Sequence, residues 1–172
     1  MIFMSQIRMS RTEWLHQFGL WYQYHLSMMR SVPGVTSAQR FETASSGQPP
    51  SLAMYGFASP DVFEDPYYQE VRGMREWLPY NDTTQYKRNL FSGLDTAPDV
   101  RRHQRLLVAD RSKPDSALAN FTWLTTVGAD FSTPVRGISV VSETEARRFE
   151  GSDVGIFVPV TGTRDSDLFP RE

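Results

Sequence analysis

His16, His25 and His103 are the only side chains that titrate near neutral pH without help. The chain has no cysteine, which removes thiolate nucleophiles, zinc–thiolate sites, disulfides and iron–sulfur clusters. His16 and His25 stand nine residues apart and fit no metal-binding spacing. Asp61, Glu64 and Asp65 gather at a helix start, where the macrodipole gives them an ordinary role. Gly151-Ser-Asp-Val-Gly155 lacks the spacing of a phosphate loop, and no serine nucleophile elbow occurs. No metal and no cofactor is therefore expected, with one opening left, since a haem needs only a single axial histidine. What remains is proton transfer. A histidine would serve as general acid or base. Tyr22, Tyr24, Tyr55, Tyr67, Tyr68 and Tyr86 would supply phenol donors to a carbonyl or enolate oxygen.

His25 is the best placed of the three. Trp14, Phe18, Trp21, His25, Met28 and Val32 are spaced 4, 3, 4, 3 and 4, the period of a helix stripe. That turns His25 inward beside Trp21 and Tyr22, where a dry site would lower its pKa and keep it neutral. The same placement serves a core histidine bonded to backbone or tyrosine, and spacing alone does not separate the two. His16 falls on the opposite side of the helix. His103 lies in the basic knot Arg101-Arg102-His103-Gln104-Arg105, which would hold a carboxylate or run as a solvated linker. Met54 and Tyr55 point to opposite faces of one strand, so one of them lines any cavity. Arg40, alternating with Gln39 and Phe41, is a candidate anchor for an acidic substrate, or a surface arginine.

The elements that must position these groups read as follows. Residues 2–8 form a strand. Ser10-Arg-Thr-Glu13 is a capping box that opens a helix over 11–32, stopped by Pro33-Gly34. Strands follow at 35–43 and 51–58, joined by a Ser/Gly/Pro loop at 44–50. A helix starting at Pro60 is interrupted by Pro66 and resumes over 67–77, and 83–91 is a fourth strand. This β-α-β-β-α-β order is the ferredoxin-like arrangement. After a linker at 92–99 the pattern restarts with strands at 106–109, 137–142 and 154–161. A helix is expected at 116–127 and a short one at 143–149. The fold expected is α+β: a ferredoxin-like unit over 1–95 forming an α+β barrel, then a truncated second unit of similar type over 96–172 with a polar tail after Gly162.

Composition narrows the partners. The chain carries 22 aromatic residues, and 16 of them fall within residues 1–95. Aromatic enrichment without charge bias indicates a heavy core or a hydrophobic ligand cavity. A net charge of −2 gives no reason to expect nucleic acid or an anionic membrane as partner. No apolar run reaches transmembrane length and the first residues lack a signal-peptide pattern, so a cytoplasmic location is expected.

The segment Trp21-Tyr-Gln-Tyr-His25-Leu-Ser-Met-Met-Arg-Ser-Val-Pro33-Gly34-Val35 resembles the first helix and turn of EthD-like proteins, which belong to the dimeric α+β barrel superfamily. Pro50-Ser-Leu-Ala-Met-Tyr55-Gly-Phe, Ser59-Pro60-Asp-Val-Phe-Glu-Asp-Pro66-Tyr67, and Trp77 ahead of Tyr86-Lys-Arg-Asn are similar to the group's later strand and split-helix segments. The likeness covers roughly residues 1–92; the short members lack the remainder. It implies a cofactor-independent acid/base enzyme (isomerase, lyase or dehydratase, or cyclase) acting on a small apolar, aromatic or lactone-like metabolite. His25 would be the general acid/base, with Tyr22 and Tyr55 orienting an oxygen. Trp21, Arg40, Tyr67, Trp77 and Tyr86 would bind the substrate. A homodimer is implied unless the second unit closes the barrel within one chain. Two alternatives stay open: a cofactor-free monooxygenase of phenolic or anthrone-type substrates, and a non-enzymatic ligand-binding or oligomerisation module.

Overall fold

The computed structural model describes residues 1–43 and 45–163; most of the expected polar tail lies outside the described residues. Eight strands form the frame: β1 (Ile2–Ile7), β2 (Val35–Glu42), β3 (Ser51–Phe57), β4 (Lys87–Ser92), β5 (Gln104–Arg111), β6 (Thr122–Ala129), β7 (Val135–Ser142) and β8 (Gly155–Pro159). They close into one barrel in the order β1-β3-β2-β8-β5-β7-β6-β4. Every neighbouring pair is antiparallel. The result is a mixed α/β molecule with an eight-stranded antiparallel barrel and few helices. The first four strands follow the order β4-β1-β3-β2 and the last four the order β8-β5-β7-β6, the same order twice. A single chain thus closes the barrel without a second copy.

Alternation divides each strand between two environments. On β1, Ile2 and Met4 point into the barrel, while Phe3 and Ile7 point outward. All six residues of β1 are buried, because helices cover its outer side. The cover is α1 (Leu15–Arg30), α2 (Pro66–Val71) and the 3₁₀ segments Pro60–Glu64 and Arg75–Tyr80. Outside the second half, α3 (Glu143–Ala146) packs with Leu107, Ala109 and Phe121. No described helix is long and apolar enough to cross a membrane.

α1 starts four residues later than the capping box predicts. The Ser10 hydroxyl and amide both donate to the Tyr80 carbonyl, at 2.9 and 2.7 Å, so Ser10 fastens the Arg75–Tyr80 segment. Thr12–Trp14 is a 3₁₀ turn and α1 has no side-chain cap at its start. Its buried face is Phe18, Tyr22, His25, Leu26 and Met29, rotated slightly from the predicted stripe. Trp14 is exposed, and Trp21 and Met28 are half-buried. The helix ends at Arg30, and the chain turns back at Pro33-Gly34, where Gly34 takes φ +84° and a Cβ would come within 2.8 Å of Val62.

Three further boundaries differ from expectation. The helix expected over 67–77 stops at Val71, because Gly73 takes the left-handed φ of +83°. The fourth strand begins at Lys87 rather than 83, since the Asp82 carboxylate accepts from the Thr84 amide at 3.0 Å and holds Thr83–Gln85 as a 3₁₀ turn. The helix expected at 116–127 is absent. Its second half is β6, where Thr122, Thr125, Thr126 and Val127 favour a pleated conformation. β6 supplies the rung between β4 and β7 without which the barrel would stay open.

Candidate active site

A cavity of about 480 Å³ lies outside the barrel, between the outer face of β1 and β3 and the cover formed by α1 and the segment after α2. β1 contributes Phe3, Ser5 and Ile7, β3 contributes Tyr55, and α1 contributes Trp21, Tyr22, His25 and Met29. Tyr68, Arg72, Gly73, Met74, Arg75 and Leu78 close the far side, with Tyr86 and Arg88 at one end. The open choice between Met54 and Tyr55 is thereby decided. Met54 packs in the barrel and Tyr55 faces the helices.

His25 is 5% exposed, and its ring stacks on Trp21 at 4.9 Å with planes 9° apart. Tyr22 meets it edge-on at 5.5 Å. The enclosed Nδ1 has no hydrogen-bond partner among the described residues. Burial, with the nearby Arg75 charge second, lowers the imidazole from 6.5 to about 4. At neutral pH the ring is an uncharged proton acceptor.

The phenols sit close together. Tyr22 and Tyr55 are polar neighbours, and Ser5 adjoins both Tyr22 and Tyr86. Burial pushes Tyr22 up to about 12, against a smaller opposing effect from Tyr55 and Arg40. Tyr55 is raised well above the usual range by burial and by its phenol neighbours. Tyr68 rises to about 12 and Tyr86 rises too, both chiefly through burial. All four are protonated donors at neutral pH, suited to an oxygen that gains negative charge.

Of the predicted site residues, His25, Tyr22, Tyr55, Trp21 and Tyr86 line this cavity together. Arg40, Tyr67 and Trp77 do not. Arg40 lies under α1, its guanidinium over the rings of Tyr22 and Phe18 at 5.1 and 5.6 Å. Ser51 and Glu42 hold it at 3.3 and 3.0 Å, and it borders a separate groove of about 430 Å³ shared with Glu13 and His16. Helical phase turns Tyr67 outward and its neighbour Tyr68 inward. Trp77 stands behind the wall, against Phe18 at 5.5 Å and Trp21 at 6.3 Å, with a buried Nε1 that has no partner among the described residues. His103 is exposed.

Sequence reasoning missed Ser5, Arg72, Arg75 and Arg88 in the cavity wall. The outward alternation of β1 could have found Ser5. Arg72 and Arg75 arrive through non-helical turns that no periodicity marks, whereas Arg88 lies on β4, two residues from Tyr86, and follows from strand alternation. Arg88 is held by Asp130, with Nη2 to Oδ1 at 2.8 Å and Nε to Oδ2 at 3.2 Å. Among the described residues, no group of three or more His, Asp or Glu gathers where a metal could bind.

The chain matches no protein-family model and no curated protein. Among solved structures, one described as "Crystal structure of Putative Chlorite dismutase TA0507" is similar at a TM-score of 0.44 and 14% identity, over 92% of this chain and 94% of that one.

Proposed function

We propose that this chain is an EthD-like member of the dimeric α+β barrel superfamily, built from a ferredoxin-like unit over 1–95 and a truncated second unit over 96–172. In this reading it is a cofactor-independent acid/base enzyme for a small apolar, aromatic or lactone-like metabolite. The observation that carries the reading is the orphaned Nδ1 of His25 in the wall of a cavity large enough for a small ligand. A buried polar atom without a partner is costly, and one in a cavity wall can be paired by a ligand placed there.

The chemistry follows from the protonation states. Neutral His25 accepts a proton from an acidic C–H or O–H of the substrate and returns it to another atom, so no proton is gained or lost over a turnover. Tyr22 and Tyr55 donate to the oxygen that takes up the charge in between. Phe3 and Trp21 supply flat apolar surface. Isomerisation, elimination and ring closure all need this set. Oxygen uptake during turnover would move the reaction to the monooxygenase class with the same residues in the same roles.

The test is turnover. Phenols, aromatic acids and unsaturated lactones are incubated with the chain in deuterated water and followed by NMR for exchange or conversion. Replacing His25 with Ala is expected to cut the rate of a converted compound by about 10² or more. A variant that converts the same compound at an undiminished rate overturns the assignment.

A further inference from the structure

We infer that the ligand of this cavity is an arenecarboxylate, a flat aromatic body carrying one anionic group, whose charge is met by Arg72 and Arg75 at the rim. The inference rests on the cavity reading above and narrows its substrate class.

The wall is rich in donors and, among the described residues, free of carboxylates. Among the described residues its polar side chains are one serine, four tyrosines, His25 and three arginines, and no Asp or Glu lines it. Arg88 is neutralised by Asp130 at 2.8 Å. Arg72 and Arg75 form no ion pair with any described residue. Arg75 donates instead to the backbone carbonyl of Glu70. Two uncompensated guanidiniums at the edge of an aromatic cavity make a local field that favours an anion and disfavours a cation. A guanidinium also offers the planar donor pair that matches a carboxylate.

The backbone supports a dedicated placement. Gly73 takes φ +83°, and Arg75 takes φ +46°, a left-handed conformation that a non-glycine residue holds only when its surroundings impose it. These two turns end α2 and fold the chain back so that both arginines border the cavity. Arg75 is close enough to His25 to depress its basicity. An anion on Arg75 would offset that effect and make His25 a stronger base when substrate is bound. Phe3 and Trp21 suit an aromatic ring rather than an aliphatic acid.

A matched pair of probes, a naphthoate and the corresponding uncharged naphthamide, separates charge from ring. Binding is measured by calorimetry with the full chain at low and high salt, for wild type and for R72Q/R75Q. Both positions are exposed, so the variant is expected to melt with wild type. The naphthoate should bind wild type about tenfold more tightly than the amide, and the preference should vanish in the double variant and shrink with salt. Amide affinity should be the same in both proteins. The His25 imidazole, followed by NMR, should titrate at higher pH with naphthoate bound. Equal binding of the two probes to wild type overturns this inference and leaves the aromatic cavity standing. Binding of neither overturns it together with the functional reading. A preference that survives in R72Q/R75Q also overturns it, since another group then holds the charge.

Discussion

Arg136 and His25 are both buried polar side chains, one inside the barrel and one on its outside, and they are treated in opposite ways. Arg136 on β7 is 1% exposed and fully engaged. Its Nε and Nη2 donate to Asp110 at 2.7 and 2.9 Å, Nη2 also donates to Gln6 at 2.6 Å, and the guanidinium lies 5.3 Å from the Phe91 ring. Burial would raise the Asp110 carboxyl, but Arg136, with Lys87 and Thr133 behind it, overrides that and holds it below the usual range. Other interior polar groups are equally satisfied. Gln39 donates to the carbonyls of Val100 and Thr161 at 2.7 and 2.8 Å, and Asn89 donates to Ser132 at 2.9 Å. His25 has aromatic rings around it and an Nδ1 without a partner among the described residues. Inside the barrel, polarity is spent on holding strands together. Outside it, under α1, Arg40 is engaged as well, by Ser51 and Glu42, and His25 in the cavity wall is the contrast. In the proposed reading the barrel is the scaffold, and the helix-covered face carries the candidate ligand site.

The largest effect that would test this contrast is on stability. Replacing Arg136 with Met leaves Asp110 and Gln6 without their donor and should destabilise the chain by about 3 kcal/mol in denaturant unfolding. Probe binding in the cavity should not change. If Arg136→Met abolishes binding while the protein stays folded, the two regions are not separate.

A comparable effect is expected from pH. The folded chain protonates His25 at about 4 and the unfolded chain at about 6.5. Between those values the unfolded state binds the extra proton. Stability is therefore full above pH 6.5 and falls as pH drops toward 4, by about 3 kcal/mol in all. His25→Gln should flatten that part of the pH profile in denaturant titrations. A profile unchanged by the substitution would place His25 in a wetter or better-paired setting.

Much of the outer site was readable from helix phase alone. The spacing through Phe18, Trp21 and His25 fixes the inward side of α1, and Pro33-Gly34 fixes where the chain turns back. Tyr55 was readable only as one of two faces, because β3 is buried on both. β6 was misread because its apolar and polar residues fit a helix as well as a strand, and only pairing with β4 and β7 selects the strand. Arg72 and Arg75 carried no signal, since the left-handed turns that bring them to the cavity depend on packing of the whole segment. Arg40 has the alternation of an outward residue, but nothing in the sequence shows that Phe18 and Tyr22 of α1 cover it.

Smaller effects sharpen the picture of the donors. Tyr22→Phe removes one phenol from the Ser5–Tyr55 cluster and should cost about 1 kcal/mol of stability. It should slow turnover of a converted substrate about tenfold if its hydroxyl meets the developing oxyanion. A stability loss without a rate loss would make Tyr22 a wall residue only.

The most direct test of the central claim is thermal melting of wild type and His25→Leu, side by side, against aromatic acids, phenols, quinones and unsaturated lactones. Leucine keeps roughly the imidazole volume and removes the orphaned nitrogen. The unliganded variant should melt no lower than wild type, and one chemical class should raise the wild-type melting temperature and raise that of the variant less. No shift of wild type by any compound, together with a strongly lowered melting temperature for His25→Leu, would make His25 a structural core residue and contradict the account.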